Sequence, residues 1–153
     1  MTRLQIAQIN VARRLAPLND PVMAEFVAQL DKINALADIS PGFVWRLKEN
    51  LNDPTSIHVF EDEYILINMS VWESIDTLYQ YAYYSAHADV FRKRSDWFSR
   101  LGKPNMALWW VPANHQPSEL EGKTRLEHLQ THGASAYAFT FKERFDPVEE
   151  PTE

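Results

Sequence analysis

The chain has 153 residues, of which 45% are hydrophobic and 24% charged, the balance of one folded domain rather than a disordered segment. Its formal net charge of −6 argues against a nucleic-acid binder that relies on a general attraction for phosphate, and Asp146, Glu149, Glu150 and Glu153 in the tail carry four units of it. The absence of Cys excludes disulfides, thiolate zinc sites, iron–sulfur clusters and thiol catalysis, and no run approaches the roughly 20 apolar residues of a membrane span. The N-terminus lacks the apolar stretch of a signal peptide, so the expectation is a cytoplasmic protein with neither a membrane nor a nucleic-acid partner. Aromatic residues reach 12%, with five Trp, and so much ring surface implies a thick core, a lined pocket or an interface.

In chain order, Leu4 to Val11 alternates loosely and reads as a strand. Asp20 before Pro21 is a helix start, and Val22, Met23, Phe26, Val27, Leu30, Ile33 and Ala37 recur at helical spacing after it. Pro41-Gly42 ends that helix and Phe43 to Lys48 reads as a second strand. Glu49 to Glu63 reads as a long connection able to act as a lid. Tyr64 to Trp72 is a strand rich in Ile, Val and Tyr. Ser74 caps a second helix, which is expected to continue, with a break near Ser85, to about Arg100. Met106 to Val111 is a fourth strand. Ser118 with Glu121 has the spacing of a capping box, opening a third helix that Gly133 closes. Ala136 to Lys142 reads as a fifth strand. Residues 1–143 thus form one domain and 144–153 an acidic, mobile tail.

The fold class is α+β, with the order βαββαβ followed by an extra αβ unit. Ile65, Ile67, Met69 and Val71 point to one side of their strand, and Leu66 and Trp72 to the other. A sheet apolar on both faces must be covered on both. Helices cover one, and a second copy of the chain is the expected cover for the other, which makes the protein a homodimer.

The segments Phe43-Val44-Trp45-Arg46-Leu47, Met69-Ser70-Val71-Trp72-Glu73-Ser74, His87-Ala88-Asp89-Val90-Phe91 and Leu108-Trp109-Trp110-Val111-Pro112 resemble an uncharacterised bacterial family, the domain of unknown function 3291 family. Arg125 to Leu129 and Ala138 to Phe141 fit it as well. The order of elements resembles the dimeric α/β-barrel superfamily of antibiotic-biosynthesis monooxygenases, haem-degrading monooxygenases and chlorite-dismutase relatives. The likeness spans Leu4 to Lys142 and implies a ferredoxin-like fold that pairs into a barrel. It brings no reaction with it, since one fold hosts many activities.

His87 is the first candidate for chemistry. Positions 87, 91, 94 and 98 fall on one stripe at helical spacing, which would tilt His87 and Arg94 toward the sheet. An imidazole there could move a proton, bind a carbonyl or ligate haem iron, and some haem-binding members of the superfamily use a helical His. A packed core histidine is the plain alternative. Asn68 and Ser70 share a face with Leu66 and Trp72, and Gln8 and Asn10 share one with Leu4 and Ile6. Such groups need partners, so they either line a cavity and orient a polar ligand or bond one another. Trp45, expected on one face with Phe43 and Leu47, and Trp109 could wall a flat apolar ligand or simply fill the core. His128 and His132, at i and i+4, lack a third ligand nearby, so no metal site is assigned.

Three readings follow. In the first, a monooxygenase-like or isomerase-like enzyme acts on a small, mostly apolar or aromatic metabolite between sheet and helices. There His87 is the proton-transfer group, Asn68 and Arg94 stabilise developing charge, and Trp45, Trp109, Gln8, Asn10 and Ser70 bind substrate, with no cofactor required. In the second, the same pocket holds haem or another small ligand without turnover. In the third, the chain is a structural homodimer.

Overall fold

A computed structural model of the chain describes residues 3–47, 60, 62, 64–84 and 93–147. Within them one antiparallel sheet carries helices on both faces. Its strands are β1 (Leu4–Arg14), β2 (Phe43–Arg46), β3 (Ile65–Trp72), β4 (Phe98–Ser99) and β5 (Met106–Pro112). The helices are α1 (Ala24–Asp38), α2 (Ile75–Tyr84) and α3 (Glu119–His132). The sheet runs β2-β3-β1, with β5 and β4 placed along the other edge of β1. No helix among the described residues is long and apolar enough to cross a membrane.

Local chemistry sets the helix starts. The Asp20 carboxylate accepts the Val22 N–H at 2.9 Å, and Pro21 opens a 3-10 turn that leads into α1. Ser74 Oγ accepts the Thr77 N–H at 3.1 Å at the head of α2, and Ser118 Oγ accepts the Glu121 N–H at 3.1 Å at the head of α3. Gly133, at φ 78°, closes α3 by donating its N–H to the Leu129 carbonyl.

Each sheet face has its own core. On one, Ile6, Trp72 and Leu108 pack with Ala37 of α1, Leu78 of α2 and Phe139. On the other, Ala7, Ile9, Met69, Val71, Trp109 and Val111 pack with Leu126 and Leu129 of α3. Gly122 lets α3 lie close: a Cβ there would stand 2.9 Å from Ile9 Cδ1 and 3.0 Å from Met69 Cε and Sδ. The face that the sequence analysis left to a second copy is therefore covered by the chain's own third helix. Patterning could count apolar faces but not say which helix lies on which.

Three further expectations are corrected. The second helix does not run to Arg100. Residues 85–92 lie outside the described part, and beyond them come a 3-10 turn (Arg94–Asp96) and strand β4. The cause lies in β1, which is longer than its neighbour: β5 pairs only with Leu4 to Asn10, and Phe98–Ser99 fills the remaining edge at Arg13 and Arg14. The Phe98 ring meets Phe26 of α1 edge-on at 5.0 Å. The fifth strand at Ala136 to Lys142 is not one either. It touches the sheet at one residue, where Phe139 and Leu108 exchange both backbone hydrogen bonds at 2.9 and 2.8 Å. Ser135 and Ala138 pair across a tight turn, and the chain turns again at Thr140, whose hydroxyl accepts the Glu143 N–H at 3.2 Å. Lastly, Trp45 does not share a face with Phe43. The register of β2 shifts between them, so Phe43 pairs with Trp72 and Trp45 with Val71 on opposite faces.

Candidate functional site

Antiparallel register puts Gln8 opposite Ser70 and Asn10 opposite Asn68, all four on the face covered by α1 and α2. The structure thus brings together every polar strand residue singled out in the sequence. Gln8 Nε2 lies 2.8 Å from both Asn68 Oδ1 and Ser70 Oγ. Asn10 Nδ2 lies 3.0 Å from Gln8 Oε1 and 3.2 Å from Asn68 Oδ1. Gln8 and Ser70 are 3% and 6% exposed, Asn10 is half-buried and Asn68 is exposed, so the cluster has a buried base and an open end. Burying these groups without partners would cost about 1–3 kcal/mol each, and mutual bonding removes that penalty at the buried end.

The buried end is anchored by a residue the sequence analysis had counted only as apolar surface. Trp72 is fully buried and donates its indole N–H to Ser70 Oγ at 2.8 Å. The signal was present in the Ser70-x-Trp72 spacing, which puts a hydroxyl and an indole on the same face of one strand. Tyr81 of α2 stacks on Trp72 at 5.0 Å and Phe43 meets it edge-on at 5.5 Å. Tyr81 donates its hydroxyl to the Ile33 carbonyl at 3.2 Å, which ties α2 to α1. Burial pushes its phenol well above the usual tyrosine range, with Arg46 pulling it down and Asp38 pushing it up. At neutral pH Tyr81 is a fixed donor and not an acid.

That shift has a measurable consequence. A phenol whose folded pKa lies above its unfolded value stabilises the fold fully below about pH 10 and loses that contribution as pH rises beyond it. Tyr81→Phe should therefore lose less stability than the wild type above about pH 10, at the cost of about 1 kcal/mol at neutral pH from the missing hydrogen bond. Urea unfolding at the two pH values checks this; equal alkaline losses in both proteins would contradict it.

The tryptophans expected to wall the site are elsewhere. Trp109 pairs with Ala7 on the opposite face, is fully buried under α3 and donates its indole N–H to Glu121 Oε2 at 2.9 Å. The other oxygen of Glu121 meets His115 Nε2 at 2.7 Å. Trp109 thus fixes the head of α3 on the sheet. Trp45 is half-buried in β2, the edge strand among the described residues, where it lines a shallow cleft of about 350 Å³ with Asp38, Phe43, Val44 and Arg46. A bidentate pair from Arg46 to Asp38, at 2.7 and 3.2 Å, closes one side of that cleft. Neither Trp meets Asn68.

Arg94 stands exposed in the 3-10 turn rather than tilted toward the sheet, because no helix carries it. His87 lies outside the described residues, as do all but two residues of the expected lid over 49–63, and with His87 goes the haem expectation. The His128 and His132 rings are 4.7 Å apart, and His128 also stands 4.7 Å from the Tyr137 ring. Among the described residues no group of three or more His, Asp or Glu is placed to hold a metal ion.

Comparison with known proteins adds the following. The family model described as "Domain of unknown function (DUF3291)" matches residues 5–153. No curated protein matches the chain. Among solved structures, a protein of unknown function from Nitrosomonas europaea, NE2512, is similar with a TM-score of 0.45 and 12% identity over 77% of this chain and 97% of that one.

Proposed function

Because the chain belongs to the domain of unknown function 3291 family, whose description names no reaction, we propose a function from the sheet face itself. The protein binds a small, mostly apolar metabolite over Gln8, Asn10, Asn68 and Ser70, between sheet and helices, and acts on it as a monooxygenase-like enzyme. One observation carries this reading: four neutral polar side chains from adjacent strands converge on the sheet face beside Ile6 and Trp72, with Arg46 opposite Ser70, bonded to one another at the buried end and open at Asn68. Ser70 serves the core by accepting the Trp72 indole N–H, but the three carboxamides do not, since apolar side chains of the same size would fill that space without any group to satisfy.

In the catalytic step His87 removes a proton from the substrate and Asn68 hydrogen-bonds the oxygen on which negative charge develops. The assignment of His87 rests on the sequence, and its test is correspondingly direct. His87→Ala abolishes turnover while the melting temperature is kept; a variant that unfolds would make His87 structural. Binding is tested separately. A ligand at 100 times its Kd stabilises the fold by about 2.7 kcal/mol, so metabolite screening by thermal shift finds it, and Asn68→Leu removes the shift while lowering the stability of the unliganded protein by only about 1 kcal/mol. A broad metabolite set that produces no shift would defeat the reading.

The architecture belongs to the same proposal. The strand order β2-β3-β1-β5, with two helical crossovers, supports a ferredoxin-like fold. With α3 on the second face, a second copy would meet the partly exposed Val44, Leu47, Ile65 and Ile67 rather than a bare sheet. Light scattering at micromolar concentration gives a dimer on this reading, and a monomer contradicts it.

A further inference from the structure

The amide cluster also specifies the kind of group it can receive, and this inference rests on the ligand site proposed above. At its inner end both the nitrogen and the oxygen of the Gln8 carboxamide are committed. At the outer end two are not: among the described residues, Asn68 Nδ2 and Asn10 Oδ1 meet no protein partner. They belong to adjacent carboxamides whose inner atoms are 3.2 Å apart. One is a donor and the other an acceptor.

The orientation of a carboxamide is assigned from its hydrogen bonds, so the opposite orientation needs the same scrutiny. In this orientation Ser70 Oγ accepts from both Trp72 Nε1 and Gln8 Nε2, which leaves its own proton without an acceptor among the described residues. Turning all three amides over gives a second closed network. Ser70 then donates to the Gln8 oxygen, the Asn68 amide nitrogen donates to the oxygens of Gln8 and Asn10, and Gln8 donates to Asn10. The outward atoms become Asn10 Nδ2 and Asn68 Oδ1. In both networks the open end presents one NH₂ and one C=O. That outcome follows from three linked carboxamides and not from a choice of orientation.

We infer that the site recognises a neutral group carrying a hydrogen-bond acceptor and an N–H donor side by side, of the lactam or primary carboxamide type, on a mostly apolar body. The four residues of the cluster carry no charge, and the neighbouring Arg46, opposite Ser70, is held by Asp38 in a bidentate pair, so the site favours a neutral group over a carboxylate or phosphate. A lactam carries both complementary groups, an acceptor for the outward NH₂ and a donor for the outward C=O. A lactone or an N-alkyl lactam supplies the acceptor alone and leaves the protein's C=O facing a carbon, which is where discrimination by hydrogen bonding is strongest.

The test uses a matched flat series on the full-length protein: 2-quinolone, N-methyl-2-quinolone and coumarin, titrated by calorimetry or two-dimensional NMR. The expected result is that 2-quinolone binds about tenfold more tightly than the other two, the ratio that one additional satisfied hydrogen bond supplies. In Asn68→Leu and Asn10→Leu that ratio falls to about one. Asn68 is exposed, so the first variant keeps its fold. Equal binding of all three compounds by the wild type would overturn this inference and leave the ligand site standing. Failure of all three to bind overturns the inference, and the thermal-shift screen then decides the site independently.

Discussion

Gly42→Ala should lower the unfolding free energy by about 3 kcal/mol, the largest effect expected of any single methyl group in this chain. Gly42 sits at φ 81°, and a Cβ added there would lie 2.4 Å from Thr77 Oγ1, 2.5 Å from Thr77 Cβ and 2.6 Å from Thr77 Cγ2. Thr77 cannot swing aside. Its hydroxyl donates to the Ser74 carbonyl at 2.9 Å, and its backbone N–H is held by Ser74 Oγ at 3.1 Å, so moving it undoes the cap of α2. The Gly42 carbonyl in turn accepts the Glu73 N–H at 2.7 Å, which ties the start of β2 to the end of β3. Gly102 is the control, for it has φ 73° but nothing within 4 Å of its added Cβ. Gly102→Ala carries only the left-handed strain of about 1 kcal/mol. Equal costs for the two substitutions, measured by urea unfolding, would mean that α2 does not pack on Gly42 as described.

Gln8→Ala is expected to cost a similar amount, about 3 kcal/mol, or roughly 6–12 °C in melting temperature for a chain of this size. Gln8 is the hub of the amide cluster: it bonds Asn68, Ser70 and Asn10, and it is 3% exposed. Removing it leaves a cavity and takes one partner from Ser70. Gln8→Leu separates the two effects. It restores the volume, and Asn10 and Asn68 still meet each other at the wetter end, so the loss falls to about 1 kcal/mol. Both variants should lose the proposed ligand, because the outward carboxamides are then no longer held. If Gln8→Leu bound ligand as tightly as the wild type, the inner bonds would have no part in presenting Asn68 and Asn10.

Much of this was legible in the sequence. The caps at Asp20, Ser74 and Ser118, the strands at Leu4, Ile65 and Met106, and the sharing of one strand face by Gln8 with Asn10 and of another by Asn68 with Ser70 follow from side-chain type and a period of two or about four residues. Those are local signals. What was not legible depends on pairing at a distance. Trp45 left the face of Phe43 because β2 shifts register against β3, and Phe98 became a strand because β1 outruns β5. Ala136 to Phe141 alternates as a strand would, yet only Phe139 reaches an open backbone edge. The cover over Met69 and Val71 came from α3, whose small Gly122 at the contact is visible in the sequence but has meaning only once its neighbour is known.

The central claim is that a ligand is held by the outer carboxamides of Asn10 and Asn68, on the face opposite Trp109. The side-chain NH₂ and indole N–H signals of the isotopically labelled protein test it most directly during titration with 2-quinolone. The account predicts that the Asn10 and Asn68 NH₂ signals move together while the Trp109 indole, on the far face beneath α3, stays still. Movement at Trp109, with both asparagine signals unchanged, would contradict it.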